Sequence, residues 1–234
     1  MSQPQERNLK LFSIFTGLFV ASLLIANVTA PKIFEVGPFT FSGGIIIFPI
    51  VYIFGDILTE VYGYTLSRKI IWTGLACQVL AALCYYIVQE LPPASFWTGQ
   101  EAFAQTFGLV PRIVLGSIVA YFCGEFVNSY ILSKMKFWAQ GKRGLAQAWR
   151  FVASTVAGEA VDTVLIGIIA FAGVFTIPQL VRLLVSVYLF KVVYEIILTP
   201  ISTRFANWVK KVEEIDQIDT PEQTNYNPFG VLTK

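Results

Sequence analysis

There is no histidine anywhere in this chain of 234 residues, and that absence removes much familiar chemistry at once. Imidazole is the commonest metal ligand and a common general acid or base near neutral pH, so metal-dependent and His-dependent membrane hydrolases lose their usual residues. Charge is scarce too: Asp, Glu, Lys and Arg make up only 14% of the chain, against roughly 25% in a soluble domain. The three cysteines, Cys77, Cys84 and Cys123, lie in apolar stretches without a CxxC pair, so they read as small buried hydrophobes and not as a metal site. A net charge of +2 steers nothing by itself.

What is present is hydrophobicity. Apolar residues form 55% of the chain and the mean hydropathy is +0.64, which is the profile of a polytopic membrane protein. Six apolar segments, at about 9–29, 43–62, 69–89, 111–133, 150–174 and 180–204, each approach the ~20 residues that cross ~30 Å of hydrocarbon. Turn formers punctuate them: Pro31, Gly37-Pro38, Gly63, Pro92-Pro93, Pro111, Gly141 and Pro178. The expected fold is therefore an all-α membrane protein, a six-helix transporter-sized domain over residues 1–211. Residues 212–234 read as a polar, disordered tail. Between the third and fourth spans, residues 91–110 hold no Lys or Arg but carry Phe96, Trp97, Phe103 and Phe107, which predicts a short interfacial helix.

Orientation follows from the cations. With the N-terminus inside, Arg7, Lys10, Arg68, Lys69, Lys134, Lys136, Lys142, Arg143, Arg150, Arg204, Lys210, Lys211 and Lys234 all fall on cytoplasmic segments. The positive-inside rule then puts both termini in the cytoplasm and makes the number of spans even. Val28-Thr29-Ala30 imitates a signal-peptide cleavage site, but Pro31 directly after it opposes cleavage.

Against this apolar background stand Asp56, Glu60, Glu125, Glu159, Asp162 and Glu195, with Lys191 as the cation among them. A charge at the bilayer centre costs at least about 2.5–3.5 kcal/mol, so such residues persist where they face a bundle interior or a watery cavity. Helical rise puts Asp56, Glu125, Glu159 and Glu195 roughly 10–14 Å in from the cytoplasmic ends of their spans, and Asp162 and Lys191 roughly 18–20 Å in. Four helices thus deliver polar groups to one slab. Within each helix the spacing keeps them on one face: Asp56 with Glu60 and Lys191 with Glu195 at i, i+4, Glu125 with Asn128 and Glu159 with Asp162 at i, i+3.

A short pattern recurs as Gly55-Asp56-x-x-Thr59, Gly124-Glu125-x-x-Asn128 and Gly158-Glu159-x-x-Asp162, where each glycine admits a neighbouring helix beside the acid. The surplus of carboxylates favours a cation or a ligand rich in N–H donors, since a carboxylate accepting two parallel N–H bonds reads a guanine-like edge or a guanidinium. Tyr52, Tyr121, Tyr188 and Tyr194 lie close enough in register to stack on a flat heterocycle.

The stretch Asn27-Val28-Thr29-Ala30-Pro31-Lys32, followed by Phe48-Pro49-Ile50-Val51-Tyr52-Ile53-Phe54-Gly55-Asp56-Ile57-Leu58-Thr59-Glu60-Val61-Tyr62-Gly63, resembles the signature of bacterial queuosine-precursor transporters, also grouped as a vitamin uptake transporter family. The later glycine–acid pieces and Lys191 are similar as well. The resemblance spans about residues 9–208. It implies a six-helix, multi-pass carrier of the bacterial inner membrane, with 7-cyano-7-deazaguanine and 7-aminomethyl-7-deazaguanine as substrates. It also implies Asn27, Asp56, Asp162 and Lys191 as binding positions, with Glu60, Glu125, Asn128 and Glu159 next. Tyr52, Tyr194 and Glu195 complete the expected site. The expected partners are the small-molecule 7-deazaguanine, the bilayer and, as small residues on the spans permit, a second copy. No cofactor, metal or nucleic acid is expected.

Other readings remain. Ala26-x-x-x-Ala30 faintly matches the docking motif of a substrate-binding subunit in an energy-coupling-factor vitamin importer, and an ion channel or structural role is a further alternative. An intramembrane aspartyl protease would pair Asp56 with Asp162, but Ile53 stands where its Gly-x-Gly-Asp motif needs glycine.

Overall fold

A computed structural model of the chain describes residues 9–29, 32–36, 39–107, 111–171 and 176–230. The Ala30-Pro31 step, the Gly37-Pro38 turn, the end of the fifth expected span and the last residues of the tail fall outside these. Helices dominate: α1 (Phe12–Thr29), α2 (Phe48–Tyr62), α3 (Tyr64–Glu90), α4 (Gln100–Phe107), α5 (Pro111–Trp138), α6 (Leu145–Ile166) and α7 (Ile177–Glu213). Four of them, α1, α3, α5 from Leu115 and α6 continued to Ile169, are long and apolar enough to cross a membrane. α2, with 15 residues, is about 22 Å long and is not among them.

One element departs from an all-α reading. β1 (Ile33–Val36) and β2 (Phe39–Ser42) pair antiparallel, with Phe34 opposite Phe41 and Glu35 opposite Thr40. Aromatic and β-branched residues on both sides of a two-residue connection favour such a ribbon. A 3₁₀ turn (Gly43–Ile46) then leads into α2, so the apolar run from 43 is not one uninterrupted α-helix. At the far end of α6 the chain continues as a π-helical turn, Gly167–Phe171.

Gly63 divides α2 from α3. Its φ of 84° lies where L side chains are strained, and a Cβ there would sit 2.7 Å from Gln217 and 3.0 Å from Asp219. α7 opens on a capping box, with the Thr176 amide donating to Gln179 Oε1 at 3.1 Å, and runs 37 residues through Pro200.

The bundle is polar inside and apolar outside. Asp56, Glu60, Glu125 and Asn128 are all at most 1% exposed, while Leu80, Leu83 and Ile87 of α3 point outward. That inversion suits lipid on the outside. An aromatic and aliphatic core (Phe15, Phe19 and Leu23 of α1, Val51 and Ile57 of α2, Tyr121 and Phe126 of α5) ties the first helices together. The α5–α6 contact is close and extensive. A Cβ on Gly158 would sit 2.8 Å from the Gly124 carbonyl, and one on Gly124 would sit 3.1 Å from the Gly158 carbonyl. The helices therefore cross glycine against glycine.

The tail is a correction to the sequence reading. Residues 214–230 do not hang free but strap the end of the bundle where α2 meets α3. Asp219 accepts from the Tyr64 amide (2.8 Å) and Ser133 (2.6 Å). Arg68 donates to the carbonyls of Asn225 and Asn227, both at 2.7 Å, and Trp72 to that of Pro228 at 2.9 Å. Tyr226 packs on Tyr64 and Tyr130, and the Lys134 ammonium lies 3.8 Å from its ring centroid. The polar composition that suggests disorder supplies acceptors for donors that the helices leave buried.

Candidate functional site

The three glycine–acid motifs converge. Gly55 of α2 abuts the Glu125 carboxylate of α5 (3.0 Å from a Cβ to Oε2), while Gly124 of α5 abuts Asp162 of α6. Glycine at these points brings acid-bearing helices within side-chain reach of one another. α7 packs against α2 and α6 and adds Lys191 and Glu195.

At the centre, Lys191 Nζ lies 2.6 Å from Glu159 Oε2 and 2.8 Å from Asp162 Oδ2. The Tyr52 hydroxyl donates to the same Glu159 carboxylate from α2. Asp56 takes its hydrogen bonds from Asn128 Nδ2 (2.8 Å) and Thr155 (3.4 Å). Glu195 is buried, and Thr199 one turn on lies 3.5 Å from its Oε1. A narrow cleft of about 300 Å³, counting its open mouth, is lined by Ile45, Tyr52, Thr155, Glu159, Phe190, Lys191, Tyr194 and Glu195. The Phe190 and Tyr194 rings stand 6.2 Å apart on its α7 wall. The enclosed space within it is only about 20 Å³, room for little more than one water molecule, so a larger ligand enters only if the lining side chains part.

The cleft thus gathers Tyr52, Glu159, Lys191, Tyr194 and Glu195 from the expected set. Asp162 joins through Lys191, and Asp56 with Asn128 sits alongside through Thr155. Glu125 is buried nearby without lining the cleft. Asn27 is half-buried late in α1, and no hydrogen bond among the described residues joins it to the acids. Thr155 and Phe190 went unnoticed in the sequence. Thr155 had a signal, since it precedes Glu159 by four residues on the same helical face.

Glu60 belongs elsewhere. One turn beyond Asp56, its carboxylate is clasped by Arg150 of α6, through Nε at 2.8 Å and a second guanidinium bond, and by Lys210 of α7 at 2.5 Å. Lys136 of α5 donates to the Glu60 carbonyl and lies 2.6 Å from Asp216, which also meets Lys210 at 2.9 Å. Burial pushes the Asp216 carboxyl up, but the hydrogen bonds from Lys136 and Lys210 outweigh it and hold the group below its usual value. This cluster closes the strapped end of the bundle. Its charges are satisfied by one another, leaving none to hold a ligand.

Chemically, the cleft offers carboxylates as acceptors, one ammonium as donor and aromatic rings as walls. Among the described residues no group of His, Cys, Asp and Glu is placed to hold a metal. Residues 42–205 match the family described as "Putative vitamin uptake transporter". A protein of Bacillus subtilis (strain 168) named "Probable queuosine precursor transporter" is 28% identical over 188 residues, 79% of this chain and 81% of that protein. The "Queuosine precursor transporter" of Escherichia coli (strain K12) is 27% identical over 155 residues, 64% of this chain and 65% of that protein, just under two thirds of its length. Both names are those of transporters and neither is an enzyme's. No solved structure matches the chain.

Proposed function

The chain belongs to the vitamin uptake transporter family, and we propose that it imports queuosine precursors, 7-cyano-7-deazaguanine and 7-aminomethyl-7-deazaguanine, through the cleft between α2, α6 and α7. The observation that carries this reading is the Glu159–Lys191–Asp162 clasp beside an aromatic wall. A guanine-like base presents an amino group and a ring N–H on one edge with a carbonyl beside them. Glu159 accepts the two N–H bonds, Lys191 donates to the carbonyl, and Tyr52, Phe190 and Tyr194 contact the ring face. The base must part Lys191 from at least one of its acids, so its own donors and acceptor replace the ion pair.

In the membrane, the proposed arrangement has six spans: α1, the 43–62 segment, α3, α5, α6 and α7. Both termini face the cytoplasm, by the distribution of Lys and Arg, in a bacterial inner membrane. α7 is about 55 Å long, well beyond ~30 Å of hydrocarbon, so its Lys210 end projects into the cytoplasm with the strap. α4, with no buried residue and with Phe103 and Phe107 4.7 Å apart, lies in the outer interface. The importer-subunit alternative is weakened because Ala26, which it needs for docking, is only 3% exposed.

The test is uptake of both labelled bases by the purified protein in liposomes, with guanine and a pyrimidine-type vitamin as competitors. Saturable uptake that guanine, which presents the same edge and ring face, competes for and the pyrimidine does not affect is expected. Equal competition by the pyrimidine, or no uptake of either base, refutes the assignment.

A further inference from the structure

Glu125 is an anomaly in its own surroundings. It is 1% exposed on α5, and neither carboxyl oxygen meets a hydrogen-bond partner among the described residues. The α2 backbone covers it at Gly55, where a Cβ would sit 3.0 Å from Oε2. A proton on that oxygen needs only the length of an O–H bond, whereas a hydrated cation needs space that this contact denies.

The groups facing it deepen the problem. From α6 come Glu159 and Asp162, and from α2 come Asp56 and Tyr52. Tyr121 on its own helix also leaves its hydroxyl without a hydrogen-bond partner among the described residues and adjoins Cys77 of α3. The π-helical turn beyond α6, Gly-Ile-Ile-Ala-Phe, contributes no titratable side chain. Lys191, the cation in this region, is engaged with Glu159 and Asp162. A carboxylate without a donor, among other carboxylates and away from water, is strongly disfavoured against its neutral acid.

We propose that Glu125 is the proton-carrying residue that couples import of the base to protons. The proposal rests on the transport reading above. In the empty protein, Lys191 offsets the charge of Glu159 and Asp162. When the base draws Lys191 to its carbonyl, those carboxylates act on Glu125 less screened, and the proton there is held more tightly. Base and proton therefore favour each other's binding, and the coupling is reciprocal. The proton comes from water on the outer side, forming the Glu125 O–H bond. It returns to water on the cytoplasmic side when that bond breaks, and the empty carrier resets with the carboxylate, which takes its next proton from the outer water. One positive charge crosses with each neutral base.

The experiment uses the full chain in liposomes with 7-cyano-7-deazaguanine. Counterflow, the exchange of labelled for unlabelled base at equal pH, is measured beside accumulation under an acid-outside gradient. The wild type is expected to do both, with one pH unit driving up to about tenfold accumulation. Glu125→Gln, an isostere of the neutral acid, keeps counterflow but accumulates no more base with the gradient than without it. Glu125→Asp, which retains a carboxyl, keeps gradient-driven accumulation at a lower rate. Counterflow without any gradient response in the wild type overturns the proposal alone, as does gradient-driven accumulation by Glu125→Gln. Absence of wild-type counterflow overturns the transport reading, and this proposal with it. Independently of transport, the infrared C=O stretch of a protonated carboxyl must be present at neutral pH and lost in Glu125→Gln. An unchanged spectrum overturns the assignment even if that variant moves nothing.

Discussion

Lys191 Nζ of α7 stands 2.6 Å from Glu159 Oε2 of α6, and this contact braces two helices and is the pair that the proposed import of the base would part. A buried ion pair gains little net stability, yet removing one partner is costly because the other is left uncompensated. Stability and the proposed binding therefore meet in the same atoms.

Lys191→Met leaves Glu159 and Asp162 facing each other without a cation. We expect a loss of about 3–5 kcal/mol, read as a lower melting temperature in detergent, together with loss of base binding. Adding Glu159→Gln to Lys191→Met restores part of the stability and none of the binding. A single variant as stable as the wild type counts against the clasp.

Glu60→Gln separates structure from binding. It leaves Arg150 in the interior without a carboxylate, Lys210 keeping Asp216, with an expected cost of about 3–5 kcal/mol, while the affinity of the protein that remains folded for 7-cyano-7-deazaguanine stays within about twofold of wild type. Calorimetric titration of the folded fraction measures it. A tenfold weaker affinity returns Glu60 to the ligand site.

Gly158→Ala drives a methyl group to 2.8 Å from the Gly124 carbonyl, against backbone that cannot swing aside. A destabilisation of about 1–3 kcal/mol is expected. Gly17→Ala, where nothing lies within 4 Å, is the control and is expected within about 0.5 kcal/mol of wild type by thermal unfolding.

Ending the chain after Glu213 removes the acceptors of Arg68 and Trp72. The expected outcomes are a red-shifted Trp72 emission, measured against a Trp72→Phe background, and faster proteolysis around residue 63. Unchanged emission means that the strap is not docked in solution.

Asp216 carries the pH dependence of the strapped end. Its folded value lies below its ordinary one, so its contribution is complete above the ordinary carboxylate range and fades as pH falls through the folded value. Asp216→Asn therefore lowers the melting temperature at pH 7, and the gap to wild type narrows in strong acid. A gap that widens in acid reverses the sign and defeats this account.

Much was legible before any coordinates. Composition determined the membrane class, and apolar run lengths located the helices, with half of the expected ends within three residues of the helix ends and the rest five to nine residues away. Helical rise placed Asp56, Glu125, Glu159 and Lys191 at neighbouring depths, because rise per residue is set by local backbone hydrogen bonds. The motif glycines announced close helix approach for the same local reason, since a missing side chain is visible in the sequence itself. Which way each helix turns was not legible. Asp56 and Glu60 share one stripe at i, i+4, yet one meets Asn128 while the other meets Arg150 and Lys210. Only the packing of segments far apart in the chain decides such partners. The same packing left Glu125 without a donor and turned a polar tail into a strap. What local chemistry sets could be read from the residues; what depends on helices 70 or more residues apart, as Asp56 and Asn128 are 72 apart, had to wait for the fold.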